Sequence, residues 1–368
     1  MSSFLRRSAL TAALAVPAAL IGRAAWGVPT AIGASRRQLR PLVAGSPQFS
    51  EGRFRNTLPT TTMAPGSTGD FVREARKGRK AGNPSRPVPL VTPELPEQAG
   101  DLAVTWFGHA SALLEVDGQR VLVDPVWGER VSPSPRVGPR RLHPVPGPLE
   151  ALPQVDAVLI SHDHYDHLDL PTVRRLVTEQ SAPFVVPLGI GAHLRGWGVP
   201  ADRVVELDWT GSHRVGDLTL TCVEARHFSG RGLSRDDTLW ASWVVTGPRR
   251  RVFFGGDTGY HPAFAAIGAQ HGPFDVTLLP IGAYSPQWPS IHMDPEEAVR
   301  AHGDLGGRTL VPIHWATFNL AFHAWAEPAD RLCAAADRSR VQVVVPRPGE
   351  RVDLTTPPPT RDWWTAVA

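Results

Sequence analysis

Residues 155–167 read VDAVLISHDHYDH, a short apolar run that leads directly into three histidines and further aspartates. The valines and isoleucine predict a buried strand. His162 and His164 are two positions apart, so at an extended strand end both imidazoles point to one face and can bind one ion. Asp166 and His167 follow where the chain must already bend, so they can bind a second ion. The stretch therefore predicts a metal site at the end of a strand.

The ligand types indicate a site that stays open to water. Imidazole nitrogen and carboxylate oxygen are the donors that zinc uses in such sites, whereas closed structural sites commonly use cysteine. The chain has only two cysteines, Cys222 and Cys333, which lie far apart and form no C-x-x-C pair. Cysteine is therefore not expected to bind the metal.

Four ligands cannot satisfy two metal ions, so further ligands must come from elsewhere in the chain. Three polar residues each follow an apolar run that predicts a strand: His227 after residues 218–223, Asp257 after residues 252–254, and His314 after residues 310–313. Each lies where a sheet edge would deliver its side chain into a shared opening. With the first four residues they complete a set of seven protein ligands.

The pattern along the chain predicts two packed sheets covered by helices rather than a doubly wound parallel sheet. An Asp117-Gly118 turn between apolar runs is a strong hairpin signal. Further strands are predicted at residues 103–107, 111–116, 120–123, 184–186, 204–207, 218–223, 242–245, 252–254, 276–279, 309–313 and 341–345. Helices are predicted from Asp169 onward and at residues 262–269, 295–302 and 328–337.

The domain organisation follows from shifts in composition. Residues 101–355 are expected to form one hydrolase domain, followed by a C-terminal tail at 356–368. Residues 33–100, rich in Pro, Gly, Arg and Ser, are expected to form an irregular arm. Residues 1–32 contain Arg6-Arg7 before an apolar stretch that is short for a membrane span, which needs ~20 apolar residues. This segment is interpreted as signal-like or membrane-touching, with a plain helical extension as the alternative. Localisation is thus expected to be cytoplasmic or peripheral to a membrane, with export through a twin-arginine-like signal left open.

The bulk composition excludes some function classes. Of 368 residues, 42% are hydrophobic and 20% charged, which is typical of a soluble protein with a core. The net charge is only +3 and no long basic run occurs, so no nucleic-acid partner is expected. Positive patches would favour an anionic small-molecule substrate or an anionic membrane surface. The sequence leaves a homodimer open.

The ligand run at 161–167, together with His227, Gly256-Asp257 and His314, resembles the metallo-β-lactamase superfamily. Within it, several stretches resemble the N-acyl-phosphatidylethanolamine-hydrolysing phospholipase D family. They are WFGHAS (106–111), VDP (123–125), GPRR (138–141), GDTGY (256–260), PIGAY (280–284), DPEEA (294–298) and IHW (313–315). These motifs span roughly residues 100 to 330, and the resemblance does not cover the arm.

The resemblance implies a four-layer αββα sandwich of two mixed sheets and two Zn²⁺ per chain. It implies that one zinc is bound by His162, His164 and His227, the other by Asp166, His167 and His314, and that Asp257 bridges them. The residues alone gave the same division of the first four ligands. They also allow iron or manganese in place of zinc.

The resemblance also implies roles beyond the ligands. Asp166, Asp257 and His292 are expected to be catalytic, with His292 facing the metals. Asp124 is expected to accept a hydrogen bond from a ligand imidazole, with an ordinary turn before Pro125 as the alternative. Substrate contacts are expected from Tyr284, His292, Arg140 and Arg141; for the two arginines a solvated loop is the alternative.

Two zinc ions can share a hydroxide at neutral pH, and the chain has no G-x-S-x-G motif that would supply a serine nucleophile. The first hypothesis is a phospholipase D type phosphodiesterase that converts N-acyl-phosphatidylethanolamine-like lipids into N-acylethanolamine and phosphatidic acid. This hypothesis predicts an apolar groove leading to the metals. A lactonase or other carbonyl hydrolase is the second hypothesis, favoured by a polar, open pocket. A non-catalytic metal-binding protein is the third.

Overall fold

A computed structural model of the chain describes residues 27–64, 73–74, 78, 80–359 and 362–368. Most of the predicted apolar N-terminal segment, including Arg6 and Arg7, lies outside these residues. None of the helices in the described ranges is both long and apolar enough to cross a membrane.

The strands of the described chain alternate with helices through residues 100–343. In chain order the strands are Phe49–Ser50 (β1), Arg53–Phe54 (β2), Leu102–Gly108 (β3), Ser111–Val116 (β4), Gln119–Val123 (β5), Ala157–Leu159 (β6), Phe184–Pro187 (β7), Val204–Leu207 (β8), Ser212–Val215 (β9), Leu218–Val223 (β10), Ser242–Thr246 (β11), Arg251–Phe254 (β12), Phe274–Pro280 (β13), Gly307–Ile313 (β14), Gln342–Val343 (β15) and Arg351–Asp353 (β16). The α-helices are Val28–Ile32 (α1), Arg36–Val43 (α2), Leu170–Glu179 (α3), Ile190–Gly196 (α4), Ala263–His271 (α5), Pro295–Asp304 (α6) and Glu327–Ser339 (α7).

Two seven-stranded sheets form the centre of the fold. The first has the order β16-β3-β4-β5-β6-β7-β8 and the second the order β15-β14-β13-β12-β11-β10-β9. In the first sheet β16, β3, β4 and β5 pair antiparallel, whereas β5 to β8 pair parallel. In the second sheet β9 to β12 pair antiparallel and β12 to β15 pair parallel. Both sheets are therefore mixed.

Apolar side chains hold the layers together. One core cluster joins the sheets, with Trp106 and Val121 from the first and Leu220 and Trp243 from the second. A second cluster lies on the other face of the first sheet and includes residues of α3 and α4. Residues of α5, α6 and α7 pack with the strands of the second sheet. The predicted fold, two mixed sheets flanked by helices, is confirmed.

The arm requires a correction, because it is not irregular throughout. Helix α2 buries Leu39 and Val43, four positions apart on one face. At its start Gln38 accepts a hydrogen bond from the backbone N–H of Ser35 (2.9 Å), which satisfies a group that the helix leaves free. The β1–β2 hairpin inserts Phe54 into the main core. The high Pro, Gly and Arg content concealed these elements, since each contributes only one or two apolar residues.

The C-terminal residues fold back onto the hydrolase domain. Trp364 is buried, and its Nε1 donates a hydrogen bond to Oδ1 of Asp330 in α7 (2.8 Å). Its ring also makes an edge contact with Trp315, with the ring centroids 5.9 Å apart. The segment predicted as a tail thus covers part of the core beside the strand that ends at Ile313.

Candidate metal centre

The sheet edges bring the seven predicted ligands to one place. His162 and His164 follow β6, His227 follows β10, Asp257 follows β12, and His314 comes directly after β14. Each strand ends in a loop at the same edge of the sandwich, so residues far apart in sequence meet there.

The first cluster consists of His162, His164, His227 and Asp257, whose candidate ligand atoms lie within 4.8 Å of one another. Nε2 of His162 is 2.8 Å from Nδ1 of His164, and Nε2 of His227 is 3.3 Å from the same atom. Nδ1 of His227 donates to the carbonyl of Ile291 (2.9 Å), which leaves Nε2 with a lone pair facing the cluster.

The second cluster consists of His109, Asp166, His167 and His314, again within 4.8 Å. Nε2 of His314 is 3.4 Å from Oδ2 of Asp166. Asp257 lies between the clusters: its Oδ2 is 3.2 Å from Nε2 of His167 and its Oδ1 is 3.1 Å from Nε2 of His314. The seven ligands thus group around Asp257 with the division that the resemblance implies.

His109 is a member of the second cluster to which the sequence analysis gave no role. Its Nε2 is 2.9 Å from Oδ2 of Asp166. Its backbone N–H donates to Oγ1 of Thr317 (2.7 Å), and its φ of 54° lies in the left-handed region. Burial and the neighbouring His314, partly offset by Asp166, lower the pKa of His109 to about 3. The same rule that found the other ligands, a polar residue after an apolar strand, applies to His109 after β3.

Asp124 lies beneath the second cluster, at the end of β5. Its Oδ2 is 2.7 Å from Nδ1 of His167 and also accepts from the hydroxyl of Ser161 (2.6 Å). Its Oδ1 accepts from the backbone N–H of Ser161 (2.7 Å). An Nδ1–H donor to Asp124 fixes the tautomer of His167 and directs Nε2 toward Asp257.

Gly256 allows the Asp257 loop to approach the histidine run closely. Its φ is +55°, and a Cβ at this position would lie 2.5 Å from Cβ of Ser161. A side chain would therefore both strain the backbone and push Asp257 away from His162.

The chemistry of the residues fits a pair of divalent cations. Within the described part of the chain, Nε2 of His167, Nε2 of His314 and Oδ1 of Asp257 are buried without a hydrogen-bond partner. Burial lowers the pKa of His167, but Asp257, Asp166 and Asp124 outweigh it and hold that pKa well above its usual value. The carboxylates around this imidazole thus favour a cation, and a bound metal would satisfy both the charge and the unpaired atoms. Nitrogen and oxygen donors without thiolate suit zinc and also iron or manganese.

His292 lies beside the shared carboxylate. Its Nδ1 is 3.9 Å from Oδ2 of Asp257, and its ring centroid is 5.1 Å from those of both His227 and His314. This Nδ1 is buried and has no hydrogen-bond partner among the described residues. Burial is the main cause that lowers the pKa of His292 to about 4, so the imidazole is neutral at pH 7.

A cavity of about 640 Å³ opens at His292. Tyr284 lines it, and its hydroxyl donates to Oε1 of Glu327 (2.7 Å). The described lining also contains Asp294, Glu297 and Arg331. The structure therefore places Tyr284 and His292 on one cavity, although the Tyr284 hydroxyl is engaged with a carboxylate.

The expected roles of the two arginines differ from their positions in the structure. Arg141 is buried; its Nη2 donates to the carbonyl of Val126 (2.6 Å) and its Nε to that of Gly128 (3.2 Å). It is therefore a structural clip rather than a clamp for a headgroup. Arg140 is exposed and pairs with Glu129 (2.5 Å). Both line a separate cavity of about 610 Å³ that none of the seven ligands borders.

Comparisons with known proteins bear on the whole domain. A family model described as the beta-lactamase superfamily domain matches residues 119–315. An uncharacterized protein of Mycobacterium tuberculosis is 56% identical over 366 residues, 98% of each chain. The N-acyl-phosphatidylethanolamine-hydrolyzing phospholipase D 1 of Caenorhabditis elegans is 38% identical over 267 residues, which cover 69% of this chain and 75% of that protein.

Solved structures show the same fold at lower identity. A metallo hydrolase from Ignicoccus hospitalis superposes with a TM-score of 0.53 at 24% identity, covering 68% of this chain and 97% of that one. An isothiocyanate hydrolase from Delia radicum gut bacteria gives a TM-score of 0.55 at 20% identity, covering 68% of this chain and 98% of that one.

Proposed function

Because this chain belongs to the metallo-β-lactamase superfamily and, within it, to the family of the N-acyl-phosphatidylethanolamine-hydrolysing phospholipases D, we propose that it is a zinc-dependent phosphodiesterase of phospholipase D type. Family membership makes the chain a metal-dependent hydrolase, which sets aside the non-catalytic alternative. The proposed reaction converts an N-acyl-phosphatidylethanolamine-like lipid and water into an N-acylethanolamine and a phosphatidic acid.

The observation that carries the proposal is the position of Asp257 between two ligand clusters, with His292 beside it on the cavity side. Phosphodiester hydrolysis needs a water on one side of phosphorus and a stabilised leaving oxygen on the other. Two metal ions held by these clusters would supply an activated water and polarise the phosphoryl group. The relative in Caenorhabditis elegans supports the choice of an N-acyl-phosphatidylethanolamine as substrate.

The protein groups have separate tasks in this proposal. Asp257 contributes one oxygen toward each cluster and keeps the two sets of imidazoles at a fixed separation. Asp124 holds His167 in one tautomer. His292, whose Nδ1 is unpaired near Asp257, would donate a hydrogen bond to a phosphoryl oxygen or to the departing alcohol oxygen.

The polarity of the cavity favours a second candidate function. Its described lining contains four carboxylates, Glu74, Asp294, Glu297 and Glu327, against one Arg331. A groove for acyl chains would be lined mainly by apolar side chains. A lactonase or other hydrolase of a polar carbonyl substrate therefore remains the alternative on the same metal site.

An activity panel separates the two candidates. Purified, zinc-loaded protein would be incubated with vesicles containing N-acyl-phosphatidylethanolamine and, in parallel, with a set of soluble lactones. Release of N-acylethanolamine, abolished in Asp257→Asn, is the expected result. If lactones open while the phospholipid stays intact, the phospholipase proposal is wrong and the carbonyl hydrolase takes its place.

A further inference from the structure

The described part of the N-terminal arm, residues 27–64, lies against the loop that carries His227. This loop, residues 224–241, joins β10 to β11 and is named here the His227 loop. Phe54 of the arm is almost fully buried, packs into the core that joins the two sheets, and meets Phe49 edge-on at a centroid distance of 5.1 Å. The arm is therefore anchored by an apolar side chain.

Polar contacts then tie the arm to the His227 loop along its length. The backbone N–H of Phe54 donates to the carbonyl of Asp236 (2.8 Å). Three arginines add side-chain contacts across the same boundary, at 2.6 to 3.1 Å: Arg231 to the carbonyl of Ala31, Arg226 to the carbonyl of Pro59, and Arg36 to the carboxylate of Asp237. The loop thus has little freedom to move independently of the arm.

Asn56 makes the contact closest to the metal ligand. Its Nδ2 donates to the carbonyl of His227 (2.7 Å), and its Oδ1 accepts from the backbone N–H of the same residue (3.1 Å). Oδ1 also accepts from Nε1 of Trp240 (3.2 Å). Two N–H donors around Oδ1 and a carbonyl beside Nδ2 fix the orientation of the amide, since the reverse orientation would oppose like groups.

The ring and the backbone of His227 are therefore held by different elements. The ring is oriented through Nδ1 by the carbonyl of Ile291 (2.9 Å). The backbone is held by Asn56, on a segment that precedes the hydrolase domain in sequence. Nε2 of His227 reaches His164 and Asp257, at 3.3 and 3.7 Å, only while both restraints are in place.

We propose that Asn56 is a positioning residue for His227, so that docking of the arm and metal binding at the first cluster are coupled. The inference deepens the proposed function, on which it rests for the presence of metal in that cluster. Outer contacts that orient a ligand typically contribute ten- to hundredfold to metal affinity. Because coupling is reciprocal, bound metal must stabilise the docked arm by the same factor.

The test is metal binding by Asn56→Ala and Asn56→Asp, measured by chelator competition and by the absorption spectrum of the cobalt-loaded protein. Asn56→Ala is expected to weaken one metal equivalent by roughly ten- to hundredfold and to alter the cobalt spectrum. Asn56→Asp keeps the acceptor but loses the donor to the His227 carbonyl, so its affinity should lie between. Arg36→Gln, which breaks an arm contact with Asp237 without touching His227, is the control and should bind metal as the wild type does. Wild-type affinity and spectrum in both Asn56 variants would overturn the inference.

Hydrogen exchange of the wild type keeps the inference testable if the variants fold poorly. Removing metal with a chelator should speed exchange at the amides of Phe54 and His227 and leave the amides of β15 unchanged. Equal exchange with and without metal would contradict the coupling. Both measurements use metal alone, so a protein that shows coupling but does not cleave phospholipid refutes only the proposed function. One that cleaves phospholipid without coupling refutes only the role of Asn56.

Discussion

Oδ2 of Asp124 lies 2.7 Å from Nδ1 of His167, with both side chains fully buried. The contact turns Nε2 of His167 toward Asp257, and it is made by a residue at the end of β5 rather than by the histidine run itself. The carboxylate also accepts two hydrogen bonds from Ser161, which joins β5 to the start of the ligand run. Asp124 therefore organises the second cluster from outside it.

Asp124→Asn should weaken metal binding without a large change in shape, because the amide matches the carboxylate in size but cannot accept equally from both Ser161 and His167. We expect a roughly ten- to hundredfold loss of affinity for one metal equivalent, measured by chelator competition. Asp353→Asn, an exposed change at the sheet edge, is the control. Unaltered affinity in Asp124→Asn would show that the contact does not act on the metal.

His109→Gln should reduce turnover, because it removes the imidazole 2.9 Å from Asp166. If His109 orients Asp166, metal stoichiometry stays at the wild-type value and kcat falls roughly tenfold or more. If His109 is itself a ligand, the metal content falls as well, which elemental analysis detects. His213→Gln on the edge strand β9 serves as the comparison, and equal activity in the two variants would remove His109 from the site.

Arg141→Ala is expected to act on stability rather than on substrate binding. It deletes hydrogen bonds to two backbone carbonyls and a guanidinium that lies over the Phe318 ring at 5.2 Å. The free energy of unfolding should fall by about 2–4 kcal/mol, as for other losses of buried hydrogen bonds, with KM unchanged in the folded protein. The neighbouring Arg140→Ala should change neither quantity. A raised KM for an anionic substrate in both variants would restore the headgroup clamp.

The pH dependence of stability should contain a contribution from Glu115. Burial raises the pKa of this carboxyl, but hydrogen bonds from Arg351 and from the backbone of Gly100 outweigh it and lower the pKa below its usual 4.5. A folded pKa below the unfolded one gives stability that is present above about pH 4.5 and is lost as the pH falls through the folded value. Urea unfolding of the wild type and Glu115→Gln should therefore differ at pH 7 and converge in acid. A difference that grows as the pH falls would contradict this sign.

Much of the centre could be predicted from the sequence because its ligands obey a local rule. His162, Asp257 and His314 each follow an apolar run, and strand ends at one sheet edge converge whatever the intervening sequence. His109 follows such a run as well, but its motif was used only for the resemblance. The parallel and antiparallel order of the strands gave no local signal of its own.

What the sequence could not predict depends on burial and on distant partners. Arg141 has the composition of a surface residue, and nothing local shows that carbonyls 13 and 15 positions away enclose it. Asn56 lies in a segment with little periodicity, and its partner His227 is 171 positions away. Strand β9, Ser212–Val215, has a single apolar residue and an exposed edge position. In each case a tertiary contact decides the role.

The most direct test of the account is the metal content of the purified wild type and of Asp257→Ala, measured by elemental analysis after reconstitution with zinc. A carboxylate that serves both clusters predicts about two ions per wild-type chain, with fewer bound and hydrolysis lost in the variant. Fewer than about one ion per wild-type chain, or a variant that keeps both ions and its activity, would contradict a binuclear hydrolase centred on Asp257.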